Sequence, residues 1–285
     1  MQAFLTYVIS GLALAGSFAL VGSGMVVVYR VTHVLNFAQG MLAVFGAMIS
    51  FSLLGGGLLP HGVAELVAVL CCGVIGLIIG IITIGKPGTP PMISLLITLG
   101  LGMIAEAVVV AIWGQNPISP PGVTGSIQIL GVNLATQRIL VFLVALVTFA
   151  LLSLFFARTD IGKALTAAAS NPHAARLVGI NTLAMGLVAF AIAGVLGGLA
   201  GVLIAPTTAV SVSSDLPLVL SGFAAAIFGG LRSPWMTFLG AVILGVVGQL
   251  VAAYGNGSYQ TPVALLMMLI IMIVRAGRMT TEEAK

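Results

Sequence analysis

The stretch ILVFLVALVTFALLSLFFA, residues Ile139–Ala157, contains no charged residue and decides the class of fold. A helix of about 20 apolar residues spans the hydrocarbon core of a bilayer. A membrane β-barrel would instead show stretches of roughly ten residues in which polarity alternates. Because Ile139–Ala157 and Leu66–Ile84 are continuously apolar, the sequence predicts membrane-spanning helices.

The composition of the whole chain leads to the same conclusion. Of the 285 residues, 60% are hydrophobic and 6% are charged, whereas soluble domains are about 25% charged. So few charges exclude a soluble enzyme, a secreted domain and a disordered protein. The net charge of +4 comes without a basic cluster that has interleaved aromatic residues, so nucleic acid is not an expected partner.

Apolar segments follow one another along the whole chain, separated by Gly and Pro residues. We predict an all-α polytopic integral membrane protein with about eight to ten transmembrane helices, with re-entry of one or two segments as the alternative to one crossing for each. We expect residues 1–285 to form a single transmembrane domain. The segments are Phe4–Val28, Met41–Leu54, Val63–Ile84, Met92–Trp113, Ile139–Ala157, Leu183–Ala205, Leu216–Gly230, Trp235–Ala253 and Val263–Val274.

The positions of Lys and Arg predict the orientation, because short cytoplasmic loops are enriched in these residues. We place the N-terminus outside and the C-terminus in the cytoplasm, with one crossing per segment. Of the basic residues, only Arg138 then lies outside. The cytoplasmic ones are Arg30, Lys86, Arg158, Lys163, Arg176, Arg232, Arg275, Arg278 and Lys285.

Two loops are longer than the others. Gly114–Gln137 is external in this orientation and rich in Pro, Gly and Ser, and Arg158–Thr182 is internal and basic. Within the internal loop, Ala164–Ala169 favours a helix.

A second short helix is predicted in the same internal loop. Asn171 can cap it, and Pro172 is a favoured first residue. The helix should run to about Val178 and end at Gly179. It is either an element whose small residues dock on a partner or part of an ordinary basic loop.

Several motifs carry a family resemblance. The internal loop has the pattern Gly162-Lys163-Ala164…Ala167…Asn171…Ala175-x-Leu177-x-Gly179-Ile180-Asn181. Elsewhere stand Gly11-Leu12…Ala19-Leu20…Gly24…Val28-Tyr29, Asn36-Phe37-Ala38-Gln39-Gly40, Thr98-Leu99-Gly100 and Phe228-Gly229-Gly230-Leu231-Arg232-Ser233-Pro234 with Gly240-Ala241. Together they resemble branched-chain amino acid ABC transporter permeases of the LivH type, with Thr98-Leu99-Gly100 at a helix start of that family. The resemblance extends along most of the chain.

The resemblance implies a permease subunit of an ABC importer in the bacterial plasma membrane, with no enzymatic activity and no cofactor or metal of its own. It implies a second permease, LivM-type or a second copy, and an extracytoplasmic substrate-binding protein. Two cytoplasmic ATPase subunits would hold ATP and Mg²⁺. The residues expected to couple to these ATPases are Asn171, Pro172, His173, Ala174, Ala175, Arg176, Leu177 and Gly179.

The substrate stays open at this point. The family resemblance covers branched-chain and other amino acids, urea and short amides. Three residues depart from the pattern of the family. Arg232 stands where the family often has Gly, and Ser170 stands where it often has an acidic residue or Gln. Glu106 stands where relatives often carry Gln. An ion-coupled secondary transporter and a membrane-embedded enzyme are the alternatives from other classes. The sequence shows no cluster of catalytic residues that would favour the enzyme. The main basis for an ion-coupled transporter is Glu106.

Two segments that are short or interrupted mark the expected permeation path. They are Asn36–Leu54 and Ser211–Gly230, and paired segments of this kind accompany binding sites in transporters. The alternative is two slightly short spanning helices. Glu106 lies about halfway along Met92–Trp113, where a charge is costly in lipid, so it faces the path or makes a hydrogen bond between helices. The predicted path residues are Asn36, Gln39, Glu106, Ser213 and Asp215.

Small and aromatic residues give two further predictions. Gly-x-x-x-Gly pairs at Gly76/Gly80, Gly194/Gly198 and Gly197/Gly201 should allow close packing of helices. Trp113, Trp235 and Tyr254 fall at segment ends, where interfacial anchors are found.

Overall fold

The computed structural model describes residues 2–57, 59–85, 90–129, 132–231, 233–255 and 257–282. Lys86, Arg232 and Lys285 lie outside these ranges. The elements are α1 (Gln2–Thr32), α2 (Gln39–Gly55), α3 (Val63–Ile84), α4 (Pro91–Trp113), β1 (Ser126–Ile129), β2 (Val132–Ala135), α5 (Thr136–Arg158), α6 (Asp160–Ser170), α7 (Pro172–Leu177), α8 (Thr182–Ile204), α9 (Asp215–Phe228), α10 (Pro234–Tyr254) and α11 (Gln260–Glu282), with 3₁₀ turns at Val212–Ser214 and Gly257–Tyr259.

The predicted all-α membrane fold is confirmed, since each of the nine apolar segments coincides with a helix to within about two residues at most ends. Helices α1, α3, α4, α5, α8 and α10 are long and apolar enough to cross a membrane. Helices α2 and α9 are shorter, with 17 and 14 residues. At 1.5 Å per residue they extend roughly 26 and 21 Å, less than the ~30 Å hydrocarbon core.

One element of the external loop was not predicted. Strands β1 and β2 form an antiparallel hairpin in which Ser126 pairs with Ala135 and Ile129 with Val132. A signal was available, because Ser126, Gln128 and Asn133 alternate with apolar residues, the period expected of a strand. The Pro and Gly residues that precede this stretch led to its interpretation as a loop.

Helix α1 lies at the centre of the fold and is buried along most of its length. Glycines let its neighbours approach closely. A Cβ atom on Gly11 would lie 2.7 Å from the Cα atom of Val246 in α10, and one on Gly22 would lie 2.5 Å from the carbonyl oxygen of Gly222 in α9. The packing therefore places backbone against backbone, as is common for helices in membranes.

The predicted role of the Gly-x-x-x-Gly pairs is confirmed where α3 meets α8. A Cβ atom on Gly76 would lie 2.5 Å from the carbonyl oxygen of Phe190, and one on Gly194 would lie 3.1 Å from the Cα atom of Gly73. Gly198 faces Cys72 in the same way, with its Cβ position 2.5 Å from that of Cys72. These glycines thus serve the contact between two helices.

Helices α4 and α5 form the opposite case. Few of their side chains are buried within the chain, and apolar ones such as Met103, Ile104 and Leu151 are exposed. Their outer faces are therefore available to lipid or to another membrane protein.

Candidate functional site

The chain breaks between α1 and α2 inside the membrane. Helix α1 ends at Thr32, His33 has a φ of 57°, and α2 begins at Gln39. The Gln39 side chain donates from Nε2 to the carbonyl oxygen of Ala193 at 2.8 Å. Since Ala193 lies at the middle of the spanning helix α8, α2 begins near half-depth in the membrane.

A buried amide network holds this break. Asn36 donates from Nδ2 to Oε1 of Gln39 at 3.2 Å, and both side chains are fully buried. Thr98 in α4 adds a link, because its Oγ1 accepts from the N–H of Phe37 at 3.3 Å and shares its proton between the carbonyl oxygens of Leu95 at 2.9 Å and Leu35 at 3.2 Å. Buried polar groups of this kind are costly unless they are hydrogen-bonded, which is how the loop stays inside the membrane.

The second break precedes α9 and meets the first. Asp215, the first residue of α9, lies against Gly40 in α2. A Cβ atom on Gly40 would be 2.6 Å from the backbone oxygen of Asp215 and closer still to its Oδ1. The rings of Phe37 and Phe223 are also adjacent, with centroids 5.9 Å apart. The starts of two short helices therefore meet inside the fold, and we call Asn36, Gln39, Gly40 and Asp215 the helix junction.

The external loop fixes the chain that leads to the helix junction. The backbone N–H groups of Ile118 and Val210 each donate to the carbonyl oxygen of the other, at 2.8 and 2.9 Å. Ser119 donates from Oγ to the carbonyl oxygen of Ala205 at 3.3 Å. These hydrogen bonds attach the segment between α8 and α9 to the external loop.

Two side-chain oxygen atoms at the helix junction are free to accept hydrogen bonds. Oδ1 of Asn36 and Oδ1 of Asp215 are buried and find no hydrogen-bond partner in the described part of the chain. The first turn of α2 adds an electropositive helix start, with no side-chain cap. The helix junction thus combines a carboxylate with helix N-termini in a low-dielectric setting.

The five predicted path residues fall into two groups. Asn36 and Gln39 are buried and belong to the helix junction with the half-buried Asp215. Ser213 and Glu106 are exposed on the surface. Helix α4, which carries Glu106, nevertheless contacts the 3₁₀ turn Val212–Ser214 that precedes Asp215. The structure brings these residues into one region, while their part in a permeation path stays a prediction.

The sequence interpretation missed the role of Thr98. Its motif, Thr98-Leu99-Gly100, resembled a helix start, but α4 begins at Pro91 and Thr98 lies within the helix. The predicted segment Met92–Trp113 starts within one residue of the helix, which has Pro91 at a favoured first position. A polar residue inside an apolar segment was the available signal.

The internal loop contains the two predicted helices. Oδ1 of Asn171 accepts from the N–H groups of His173 and Ala174 at 3.1 and 3.0 Å, which caps α7 at Pro172. Gly179 has a φ of 85° and follows the end of α7, as predicted. Helix α6 is anchored by Leu165, which belongs to a buried cluster with Val27 of α1 and Ala189 of α8.

Helix α7 presents a different face from the one expected. Ala175 is 3% exposed and packs inward, so only Ala174 of the two alanines is open to a partner. The side chains of Leu177 and Val178 are instead 77% and 76% exposed. A pair of exposed aliphatic residues outside the spanning helices is a candidate contact for another protein.

The described residues hold no group of three or more His, Cys, Asp and Glu side chains that could bind a metal ion. What they define is a polytopic membrane protein with a polar break at its centre and a structured internal loop. This is the architecture of a transmembrane permease subunit.

Comparison with known proteins gives the family. The family described as "Branched-chain amino acid transport system / permease component" matches residues 7–274, and the chain belongs to it. The LivH permease protein of the high-affinity branched-chain amino acid transport system of Salmonella typhimurium is 25% identical, over 95% of this chain and 93% of that protein. The probable LivH permease protein of Methanocaldococcus jannaschii is 26% identical, over 93% of this chain and 89% of that protein.

A solved structure supports the fold. PsaBC from Streptococcus pneumoniae in complex with Fab matches with a TM-score of 0.52 and 16% identity, over 95% of this chain and 91% of that chain. The prediction of an ABC transporter permease of the LivH type is therefore confirmed at the level of family and fold. The chain is a multi-pass membrane protein and a transport subunit.

Proposed function

We propose that this chain is one of two permeases in a binding-protein-dependent ABC importer that carries branched-chain amino acids or related small polar solutes across the plasma membrane. The proposal is carried by the helix junction, a polar site inside the membrane of a chain whose family match covers residues 7–274. The names of its relatives supply the substrate class.

The permeation path runs, in this proposal, along the side of the helix junction where Ser213 and Glu106 are exposed. Asn36 and Gln39 support the wall from behind, because both are fully buried. An amino acid carries an ammonium group, and carboxylates such as those of Asp215 and Glu106 accept hydrogen bonds from it. Intramembrane acids of this kind usually face a pathway or a partner.

The second permease is expected on the side of α4. Its outer face is apolar except for Glu106, which is exposed near the middle of the helix. A carboxylate facing lipid at this depth would cost roughly 2.5–3.5 kcal/mol on insertion scales. Contact with a second permease, or with an aqueous path between the two, removes that cost.

The ATPase subunits are expected to dock on α7. Leu177 and Val178 offer exposed aliphatic contacts, and Asn171 fixes the start of the helix. Displacement of α7 would be passed on through α6, since Leu165 is buried against α1 and α8. This route connects the docking surface with the helices that surround the helix junction.

Uptake by the reconstituted complex tests the proposal. Vesicles that carry both permeases and the ATPases, with the binding protein outside, should accumulate leucine only with internal ATP, and urea or a short amide more slowly. Uptake driven by a proton gradient without ATP would instead support a secondary transporter. Faster uptake of urea or a short amide would replace the substrate class and keep the importer.

A variant of the docking helix tests the ATPase contact separately. Leu177→Asp should reduce co-purification of the ATPase and abolish ATP-dependent uptake, because it places a charge in an apolar contact. Val123→Asp is the matched control, since Val123 is 50% exposed on the external loop. Equal loss of the ATPase in both variants would contradict docking on α7.

A further inference from the structure

A crevice opens where the end of α1 meets the end of α5 and the start of α10. Its volume is about 260 Å³, and Arg30, Phe149, Leu152, Ser153, Phe156 and Trp235 contribute to its lining. Arg30 belongs to the last turn of α1 and Phe156 to the last turn of α5, so both lie at the same end of the helix bundle. This end is the one predicted to face the cytoplasm.

Arg30 brings an uncompensated positive charge into the crevice. Its side chain is half-buried, makes no ion pair or hydrogen bond with any described residue, and no Asp or Glu lines the crevice. A guanidinium group stays protonated under all ordinary conditions. Partial burial of such a charge is unfavourable without an anion, so the crevice is suited to a negatively charged group.

The start of α10 adds donors to the same place. Pro234 is its first residue, and Ser233 provides no side-chain cap. The backbone N–H groups that follow in the first turn are therefore free of a capping side chain. Their partial positive charge favours an anion near Trp235 and Arg30.

Below Arg30 the walls of the crevice are apolar and aromatic. The rings of Phe149 and Trp235 have centroids 6.1 Å apart, and Phe238 packs behind both at 4.9 and 6.2 Å. Trp235 is 44% exposed, and no described residue accepts a hydrogen bond from its indole N–H. Tryptophan in this situation is typical of the membrane interface, where one end is apolar and the other is wet.

We propose that this crevice binds an anionic phospholipid of the adjacent leaflet, with the phosphate on Arg30 and an acyl chain along Leu152 and Trp235. A free phosphate ion would use the cation and leave the apolar wall without a ligand. A lipid uses both, because its charge and its hydrocarbon chain are arranged in the same order as the cation and the wall. The proposal depends on the membrane location of the chain and is independent of the transported solute.

Bound lipid would also touch the internal loop. Phe156 lines the crevice and packs against the cluster of Val27, Leu165 and Ala189 that anchors α6. A lipid bound in the crevice should therefore stabilise the start of the internal loop. An anionic lipid is expected to raise the thermal stability of the solubilised permease more than a zwitterionic lipid does.

Native mass spectrometry of the solubilised transporter complex tests the proposal. Phosphatidylglycerol and phosphatidylcholine with identical acyl chains are titrated, with inorganic phosphate as a competitor. We expect preferential binding of phosphatidylglycerol, and Arg30→Gln should weaken it by about tenfold, the loss of one charge-assisted hydrogen-bonding partner. Arg30→Lys should retain most of the preference. Arg158→Gln is the matched control, because Arg158 is exposed at the end of α5 and does not line the crevice.

Three outcomes would contradict the proposal. Equal binding of the two lipids by the parent complex would mean that the crevice does not select a charge. Complete competition by inorganic phosphate would assign the site to a free anion. Lipid-dependent thermal stabilisation is measured in parallel on each purified variant, and an Arg30→Gln variant that keeps the full phosphatidylglycerol effect would also refute the role of Arg30.

Discussion

Gly40 determines whether α2 and α9 can approach each other. Its missing side chain leaves the space that the backbone and the carboxylate of Asp215 occupy. Gly24 and Gly197 do the same for the amide of Gln39, since a Cβ atom on Gly197 would lie 3.0 Å from Nε2 and one on Gly24 would overlap it. At the scale of single residues, the helix junction exists because three glycines make room for two polar side chains.

The first prediction concerns Gly40→Ala. The added methyl group meets backbone as well as the carboxylate, so the free energy of unfolding should fall by about 1–3 kcal/mol, and uptake should fall with it. Gly100→Ala is the control, because no atom lies within 4 Å of its Cβ position, and alanine should leave stability unchanged or raise it by up to ~1 kcal/mol. Thermal unfolding of the purified permeases compares the two. Equal stability of both variants would contradict the described contact.

The second prediction concerns Glu106. It is exposed and makes no hydrogen bond to another described residue, so neither Glu106→Gln nor Glu106→Leu should lower the thermal stability of the isolated permease, and Leu should raise it because a carboxylate that faces lipid is costly. Both should alter uptake, and Leu more than Gln, because Gln keeps a polar group beside the path. Normal uptake by both variants would remove Glu106 from the path. Lower stability of Glu106→Leu alone would favour a structural role.

The two helices of the internal loop differ in burial: α6 is anchored to the membrane helices, and α7 is mostly exposed. Helix α6 buries Leu165 and is fixed to the membrane helices, whereas α7 has only Ala175 buried and exposes most of its other side chains. Thr159 begins α6 by accepting from the N–H of Gly162 at 3.0 Å, and Asn171 begins α7. The two caps make the loop a pair of defined helices instead of a flexible connection.

The third prediction separates the two alanines of α7. Ala175→Trp should destabilise the permease itself, by about 1–3 kcal/mol or more, because Ala175 is buried within the chain. Ala174→Trp should leave stability unchanged and weaken binding of the ATPase, since Ala174 is exposed. Thermal unfolding and ATPase co-purification are measured for both. If Ala174→Trp keeps the ATPase and its coupling to uptake, the exposed face of α7 is not the docking surface.

The sequence predicted which segments form spanning helices, but it did not predict the depth in the membrane at which α2 begins. Apolar length alone identifies helices such as α5 and α8, because a spanning helix must be apolar throughout. The half-depth start of α2 depends on the contact between Gln39 and Ala193, which are far apart in sequence. The inward position of Ala175 likewise depends on packing within the fold. Neither is encoded in a local pattern, so only the structure reveals them.

At the scale of the molecule, a buried α1 is surrounded by helices whose outer faces are apolar, while most Lys and Arg residues stand outside the apolar segments. The external loop and the internal loop lie at opposite ends of α5, which starts after β2 and ends before α6. One end carries the hairpin, and the other carries α6 and α7. The chain therefore has two structurally different ends.

The fourth prediction assigns these ends to the two sides of the membrane. Cysteines at Ser119 and Ser126 should react in intact cells with a thiol reagent that cannot cross the membrane, and a cysteine at Ser170 should not. All three positions are exposed in the structure, so a lack of reaction reflects the membrane and not burial. After permeabilisation all three should react. Labelling at Ser170 in intact cells would reverse the orientation.

The meeting of α2 and α9 at the helix junction has a mechanical consequence. A seal formed by the sides of long helices opens only if those helices slide or tilt over their whole length. A seal formed by helix ends opens when one end withdraws by about one turn, ~5.4 Å. In the proposed permeation path, the rest of the bundle could then stay in place while one helix end moves, so a small displacement passed on from the internal loop would be enough to admit a solute.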